Sequence, residues 1–361
     1  MKQESLRRLF KPAVLNARAY HVPDSTGLVK LDAMENPYPW PEELKQDWLK
    51  CLQETSLNRY PDASTHAMHA SLRDVFGVPA TAGMMFGNGS DELIQIILMA
   101  LAADANHVMA PEPTFVMYRH LSELLDLVFT GVPLREDFTL DLPAMLTAIK
   151  EQQPAVIFLA WPNNPTGNCF DEQQLQAIIE ASSGLVVIDE AYHAFAGRSM
   201  LPAIGQYPNV LVMRTLSKLG LAGLRLGSLM GPISIIEQLE KIRLPYNIGS
   251  LNQASVNFIC RHMDVLYGQA EQIMQDRQSL FQSLSAMTRV ETWPTEANFI
   301  LFRVNGFSAD NVHARLIDKG ILVKNLSAAH PLLKNCLRVT VGSANENRMF
   351  LQGLQEIIAA A

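Results

Sequence analysis

Short apolar runs and longer stretches of helical period alternate through the middle of the chain. HVMA (107–110), AVIFLA (155–160), LVVI (185–188) and NVLVM (209–213) are strand-length and β-prone, and segments of helical spacing separate them. Alternation of this kind predicts an α/β domain built on a mostly parallel sheet. Ahead of it, LIQIILMALAA (93–103) reads as a buried helix, and Asp91 and Glu92 in its first turn complement the positive end of the helix dipole. Residues 1–40 carry Pro12, Pro23, Pro37 and Pro39 with little sustained periodicity, which predicts an extended arm packed on the rest of the molecule. Beyond about 255 a long helical stretch (255–287) leads into NFILFRV (298–304), ILVKNL (321–326) and CLRVTVG (336–342), the pattern of a smaller α+β domain. The expected organisation is an N-terminal arm and the start of the small domain over 1–43, a large domain over 44–254 and a C-terminal small domain over 255–361.

Composition narrows the class. The chain has 361 residues, 48% of them hydrophobic and 18% charged, enough for a sizeable core. Its formal net charge of -7 argues against a reader of nucleic-acid backbones, so a bound phosphate must meet positive groups locally. Cys51, Cys169, Cys260 and Cys336 lie far apart with no CxxC or Cys/His spacing, which suggests free thiols and neither a zinc site nor a disulfide framework. The N-terminal MKQESLRRLFKP lacks the apolar stretch of a secretory signal, and the longest apolar run is broken by Gln95 and falls short of a membrane span. A cytoplasmic protein without nucleic-acid or membrane partners is the expectation.

Candidate chemistry gathers where the strands end. AVIFLA leads to Asn163 and Asn164, LVVI to Asp189, and NVLVM to Ser217 and Lys218. Each alone reads equally as a cap or a turn former, but ligands of open α/β sheets bind beyond the carboxyl ends of strands. A pyridoxal phosphate site needs a lysine to form an imine with the cofactor aldehyde, and Lys218 is suited to it. It needs a carboxylate to keep the pyridine nitrogen protonated, and Asp189 ends an apolar strand where an acid is costly unless paired. Asn164 and Tyr192 are suitable donors to the phenolic oxygen. The glycine-rich FGNGSDELI (86–94) opens a helix whose first amides, near Ser90 and Asp91, suit a phosphate, with Ser217 and Arg225 as further donors. In LRVTV, Leu337, Val339 and Val341 alternate with Arg338 and Thr340, so Arg338 leaves the packed face; a strand-borne arginine facing a cleft is a good fork for a carboxylate or phosphate.

These residues resemble the fold-type I, pyridoxal-phosphate-dependent aminotransferases, and most closely the histidinol-phosphate aminotransferase family. The motifs that carry the resemblance are LDAMENPYPWP (31–41), LNRYPDAS (57–64), GNGSDELI (87–94), PEPTFVMY (111–118), WPNNPTGN (161–168), VVIDEAYHAF (186–195), RTLSKLGLAGLRLG (214–227), ANFILFRV (297–304) and HPLLKNCLRVTVGS (330–343). The resemblance implies that Lys218 bears the cofactor and Asp189 pairs with its ring nitrogen. It implies that Asn164 and Tyr192 hold the phenolic oxygen, and that Phe115, otherwise an ordinary core aromatic, stacks on the ring. Ser90, Asp91, Ser217 and Arg225 would then surround the phosphate. Tyr60 would reach the phosphate of a second subunit, which implies a homodimer. Arg338, Tyr38 and Lys324 would contact the substrate, and the implied reaction is transamination between histidinol phosphate or imidazole-acetol phosphate and glutamate or 2-oxoglutarate, in histidine synthesis.

The chain departs from the family pattern twice. Lys324 stands where many members have an arginine, replacing a fork by a point charge. Arg225 follows Lys218 by seven residues where many relatives have eight. An aromatic amino-acid aminotransferase and a phospho-amino-acid decarboxylase fit the same scaffold residues. A non-catalytic α/β protein that binds a nucleotide or a partner is the alternative from a different class.

Overall fold

A computed structural model describes residues 8–19, 22–102 and 104–360; of the N-terminal arm, residues 1–7, 20 and 21 lie outside it. The arm contains a short helix, Pro12–Asn16, with proline in its first turn, and a strand, β1 (Val29–Leu31). The seven strands that follow form one sheet: β2 (Ala82–Asn88), β3 (His107–Glu112), β4 (Val128–Pro133), β5 (Val156–Ala160), β6 (Leu185–Asp189), β7 (Val210–Thr215) and β8 (Leu226–Pro232). Their spatial order is β2-β8-β7-β6-β5-β3-β4, and only β8 runs against its neighbours. The expected mostly parallel α/β sheet is therefore present.

Burial on both faces explains why its central strands read as unbroken apolar runs. Ile157 and Leu159 of β5 and Val186 and Ile188 of β6 enter one core, while Phe158 and Val187 enter the core on the opposite face. The two edge strands and β8, which lies next to the β2 edge, escape that pattern. AGMMFGN of β2 and LGSLMGP of β8 are interrupted by glycine, and VFTGVP of β4 is partly exposed, so none of them reads as an apolar run.

The second sheet has the order β1-β11-β12-β10-β9, where β9 is Val290–Thr292, β10 Phe299–Val304, β11 Ile321–Asn325 and β12 Cys336–Thr340. Its parallel partner for β11 comes from the arm, because β1 pairs Val29 with Ile321 and Leu31 with Val323. The start of the chain is thus stitched into the small sheet. The helical stretch at 255–287 resolves into two helices, Ser250–Ile259 and Met263–Ser285, separated around Arg261 and His262. The expected boundary at 254/255 lies inside the first of them. No helix among the described residues is long and apolar enough to cross a membrane.

The last strand of the small sheet passes directly into the helix Ala344–Ala359 through a capping box. Ser343 accepts from the Glu346 backbone N–H, and the Glu346 carboxylate accepts from the Ser343 backbone N–H at 2.8 Å. Ser343→Ala removes one half of this exchange and is expected to lower unfolding free energy by about 1 kcal/mol. A denaturant midpoint unchanged from the parent would contradict it.

Candidate active site

Strands β3, β5, β6 and β7 are consecutive in the sheet, and their carboxyl ends deliver most of the expected residues to one place. In register, Ala160 of β5 stands beside Asp189 of β6, and Asp189 beside Met213 of β7. The residues just beyond are Pro162 and Asn164, Ala191 and Tyr192, and Ser217 and Lys218. All six line a single cleft with about 560 Å³ of atom-free space, together with Ser90, Asp91, Phe115, Asp189 and Arg225.

The reversed strand β8 supplies the rest. Because it is antiparallel to both β7 and β2, its beginning lies at their carboxyl ends, with Leu226 opposite Asn88 and Gly227 opposite both Thr215 and Gly87. Residues between Lys218 and β8 fold into tight turns, Ser217–Leu219 and Ala222–Leu224, and Arg225 closes the second in the left-handed region at φ 48°. The seven-residue spacing is thereby accommodated: the Arg225 guanidinium lies over Gly89 and meets the Asp91 carboxylate at 3.3 Å. Gly89 itself has φ +81°, and a Cβ there would fall 2.6 Å from the guanidinium. At Gly227 a Cβ would stand 2.6–2.8 Å from the backbone of Gly89 and Ser90. Both glycines keep the turn before the Ser90–Met99 helix close to β8, so that amides, Ser90, Ser217 and Arg225 converge.

Asp189 is 4% exposed. Its Oδ2 accepts from the Tyr118 hydroxyl at 2.6 Å and its Oδ1 from the Ala191 backbone N–H at 3.1 Å. Burial pushes its pKa up to about 6, and those two donors hold it from rising further. Asn164 donates its Nδ2 to the Tyr192 hydroxyl at 3.1 Å, and burial pushes that phenol well above its ordinary range. The half-buried Lys218 ammonium donates to the Ala33 carbonyl at 3.1 Å and lies 6.0 Å from the centre of the Tyr192 ring. Desolvation, followed by the nearby Arg338 charge, lowers its pKa to about 8.

Arg338 leaves the packed face of β12 as alternation requires, yet it is only 6% exposed, because that face meets the large domain and the arm. Its Nη1 donates to Asn164 Oδ1, its Nη2 to the Asp32 carbonyl at 2.9 Å, and its guanidinium stands 5.2 Å from the Phe299 ring centre. Lys324 is its register partner on β11. Both line a second cleft that adjoins the first through Met34, Phe115 and Asn164.

Two expected residues stand apart. Tyr38 lines neither cleft and gives its hydroxyl to Asp276 of the helix Met263–Ser285. Tyr60 is 81% exposed and stacks on Tyr246, ring centres 4.5 Å apart. Conversely, Met34, Thr215 and Tyr118 belong to the site or its support without having been expected there. None of the three carries a sequence signal of its own, since Phe115 lies in the turn before the Met117–Leu124 helix and Tyr118 meets Asp189 only in space.

A lysine, a buried carboxylate and an anion cradle around one cleft, on a mostly parallel sheet, are the parts of a group-transfer enzyme, and comparison assigns the class. The chain belongs to aminotransferase class I and II, whose family profile matches residues 26–354. Within that class it is 50% identical to histidinol-phosphate aminotransferase 2 of Nitrosococcus oceani, over 98% of this chain and 99% of that protein. It is 49% identical to histidinol-phosphate aminotransferase 1 of Ralstonia nicotianae, over 96% of this chain and 93% of that one. The crystal structure of histidinol-phosphate aminotransferase from Sinorhizobium meliloti in complex with pyridoxal-5'-phosphate shares the fold, with a TM-score of 0.85 at 22% identity over 97% of this chain and 98% of that chain. The resemblance carried by the motifs thus extends over nearly the full length.

The depressed pKa of Lys218 has a measurable sign. With about 8 in the folded state against 10.5 in the unfolded chain, the unfolded state binds the extra proton between those values, so this residue makes stability rise with pH across that window. In protein stripped of small molecules, reductive methylation of Lys218 followed by mass spectrometry is expected to show a midpoint near pH 8. A midpoint near that of exposed lysines would refute the assignment.

Proposed function

We propose that this chain is a pyridoxal-phosphate-dependent transaminase that exchanges an amino group between L-histidinol phosphate or imidazole-acetol phosphate and glutamate or 2-oxoglutarate, a step of histidine synthesis. The observation that carries the reading is the convergence of Lys218, Asp189, Asn164, Tyr192 and Arg225 on one cleft, in a chain half identical to proteins named for that activity. The donor set fits the cofactor: an amine, a buried carboxylate, an amide and a phenol, and a cradle of amides, hydroxyls and guanidinium that a Cβ at Gly227 would fill.

When bound, the cofactor supplies an aldehyde that takes up the donor's amine and a ring that draws electrons from the carbon losing its proton. Lys218 Nζ would hold the aldehyde, and as a free amine it would accept and move the proton at the substrate's α carbon. A pKa of about 8 leaves roughly a tenth of the amine neutral at pH 7 and ready to accept it. Asp189 keeps positive charge at the ring nitrogen, Asn164 Nδ2 and Tyr192 Oη donate to the phenolic oxygen, and Phe115 covers the ring. Ser90, Ser217, Arg225 and the first amides of the Ser90–Met99 helix bind the phosphate, and Asp91 orients the guanidinium. Arg338 receives the anionic group of either substrate, with Lys324 beside it in the same cleft.

The working molecule is a cytoplasmic homodimer in which Tyr60 reaches the phosphate site of the second copy. Its stacked, exposed position with Tyr246 supports an interface there. The large domain over 44–254 holds the cofactor, and the small domain closes the substrate side.

Lys218→Ala is expected to abolish the visible absorption of the lysine-bound cofactor and to cut turnover by at least about a hundredfold. Single-turnover rates with L-histidinol phosphate are expected to exceed those with phenylalanine and tyrosine, with no release of carbon dioxide. A faster aromatic amino acid would overturn the substrate assignment.

A further inference from the structure

Tyr118 has no place in the reading above. It is fully buried and does not line either cleft, yet it makes a short contact with Asp189. It lies at the start of the helix Met117–Leu124, directly after the turn that carries Phe115. Its ring is stacked on Phe158 of β5 at 4.6 Å and 9°, and meets the Phe115 ring edge-on at 5.5 Å and 85°. Ring position is thus fixed by aromatic neighbours on two sides, and the hydroxyl is carried to Asp189 Oδ2 at 2.6 Å, within the range of a bond from a hydroxyl to a charged oxygen. With the Ala191 amide on Oδ1, each carboxylate oxygen has a donor behind it, and the carboxylate lines the cleft.

We propose that Tyr118 is a positioning residue: its hydroxyl orients the Asp189 carboxylate and keeps it ionised, and so sets the charge at the ring nitrogen of the bound cofactor without touching cofactor or substrate. The inference rests on the cofactor reading. Its polarity is unambiguous, because burial and the Asp189 charge push the phenol well above its ordinary range, leaving Tyr118 a donor and Asp189 the acceptor. Against the desolvation that drives Asp189 upward, the Tyr118 bond is the largest opposing influence. The aromatic contact with Phe115 also ties the residue proposed to cover the ring to the residue that braces its carboxylate.

Tyr118→Phe removes the hydroxyl and keeps the stacked ring, so the fold is retained. Asp189 then loses its stronger donor, the ring nitrogen keeps its proton less firmly, and a ring with less positive charge releases its other protons at higher pH. In the holoenzyme, the pH midpoint of the bound cofactor's visible absorption is expected to rise by about one unit, and cofactor affinity to fall about tenfold. Turnover is expected to drop about tenfold with KM for the amino donors unchanged. Phe158→Leu serves as the packing control: it weakens the stack, retains the hydroxyl, and is expected to lower Tm without moving the midpoint. If Tyr118→Phe leaves midpoint and affinity unmoved while the parent shows the normal cofactor absorption, the proposal fails and the cofactor reading stands. The proposal fails likewise if Phe158→Leu shifts the midpoint as far as Tyr118→Phe. A parent protein that acquires no visible absorption with pyridoxal phosphate overturns both.

Discussion

Asp189 ends a strand that is buried on both faces, and a carboxylate in such a place is tolerable only if donors and an opposite charge meet it. The chain supplies the donors from two separate elements, the Tyr118 hydroxyl and the Ala191 amide. What they do not cancel remains as an acid whose pKa is pushed up to about 6, held at the edge of a cleft. A cation placed there would hold the acid in its charged form. The arrangement therefore favours a ligand with a protonatable ring nitrogen.

The anion cradle depends on a different constraint, the single reversal in the sheet. If β8 ran parallel to β7, its first residue would start from the opposite edge, and Arg225 would stand a strand's length from Lys218. As it is, β8 begins where β2 and β7 end, and glycines at 89 and 227 let the backbones of both approach. The left-handed Arg225 is an uncommon conformation for a residue with a side chain, and it is held by its neighbours on a short connection. The seven-residue connection from Lys218 to Arg225 is thus taken up in the turns, with the guanidinium delivered to Gly89 and Asp91.

Legibility followed the unbroken apolar run more than burial itself, since β8 is buried along most of its length and carries no such run. β3, β5, β6 and β7 sit inside the sheet, so their apolar runs mark them at once, and the polar residues just after three of those runs mark the cleft. β2 and β8 were hidden because the glycines that make the cradle also break the apolar pattern. β1 was hidden for another reason: a three-residue strand has meaning only through its pairing with β11, almost three hundred residues later. Tyr118 was hidden because an apolar-looking aromatic in a helix acquires its role from a strand it meets only in space. Tyr38 and Tyr60 show the converse. Their identities were legible from the motif resemblance, but one is held by Asp276 and the other faces outward, so neither completes the site within a single chain.

The substrate side poses a last question, since the proposed reaction asks one position to accept a carboxylate in one half and a phosphate in the other. Arg338 and Lys324 are register partners across antiparallel strands, so their side chains share a face, and like charges directly opposite each other are unfavourable. An anion between them relieves that repulsion whichever anion it is. Arg338 is rigid, fixed by Asn164 Oδ1 and the Asp32 carbonyl over Phe299, and offers a planar fork. Lys324 is a point charge on a longer, unbranched stem, a less directional donor than the guanidinium. A planar fork beside a point charge would suit both a planar and a tetrahedral anion. Because Arg338 of β12 reaches Asn164 beyond β5 and Asp32 beside β1, its guanidinium also ties the small sheet to the cleft at the end of the large one.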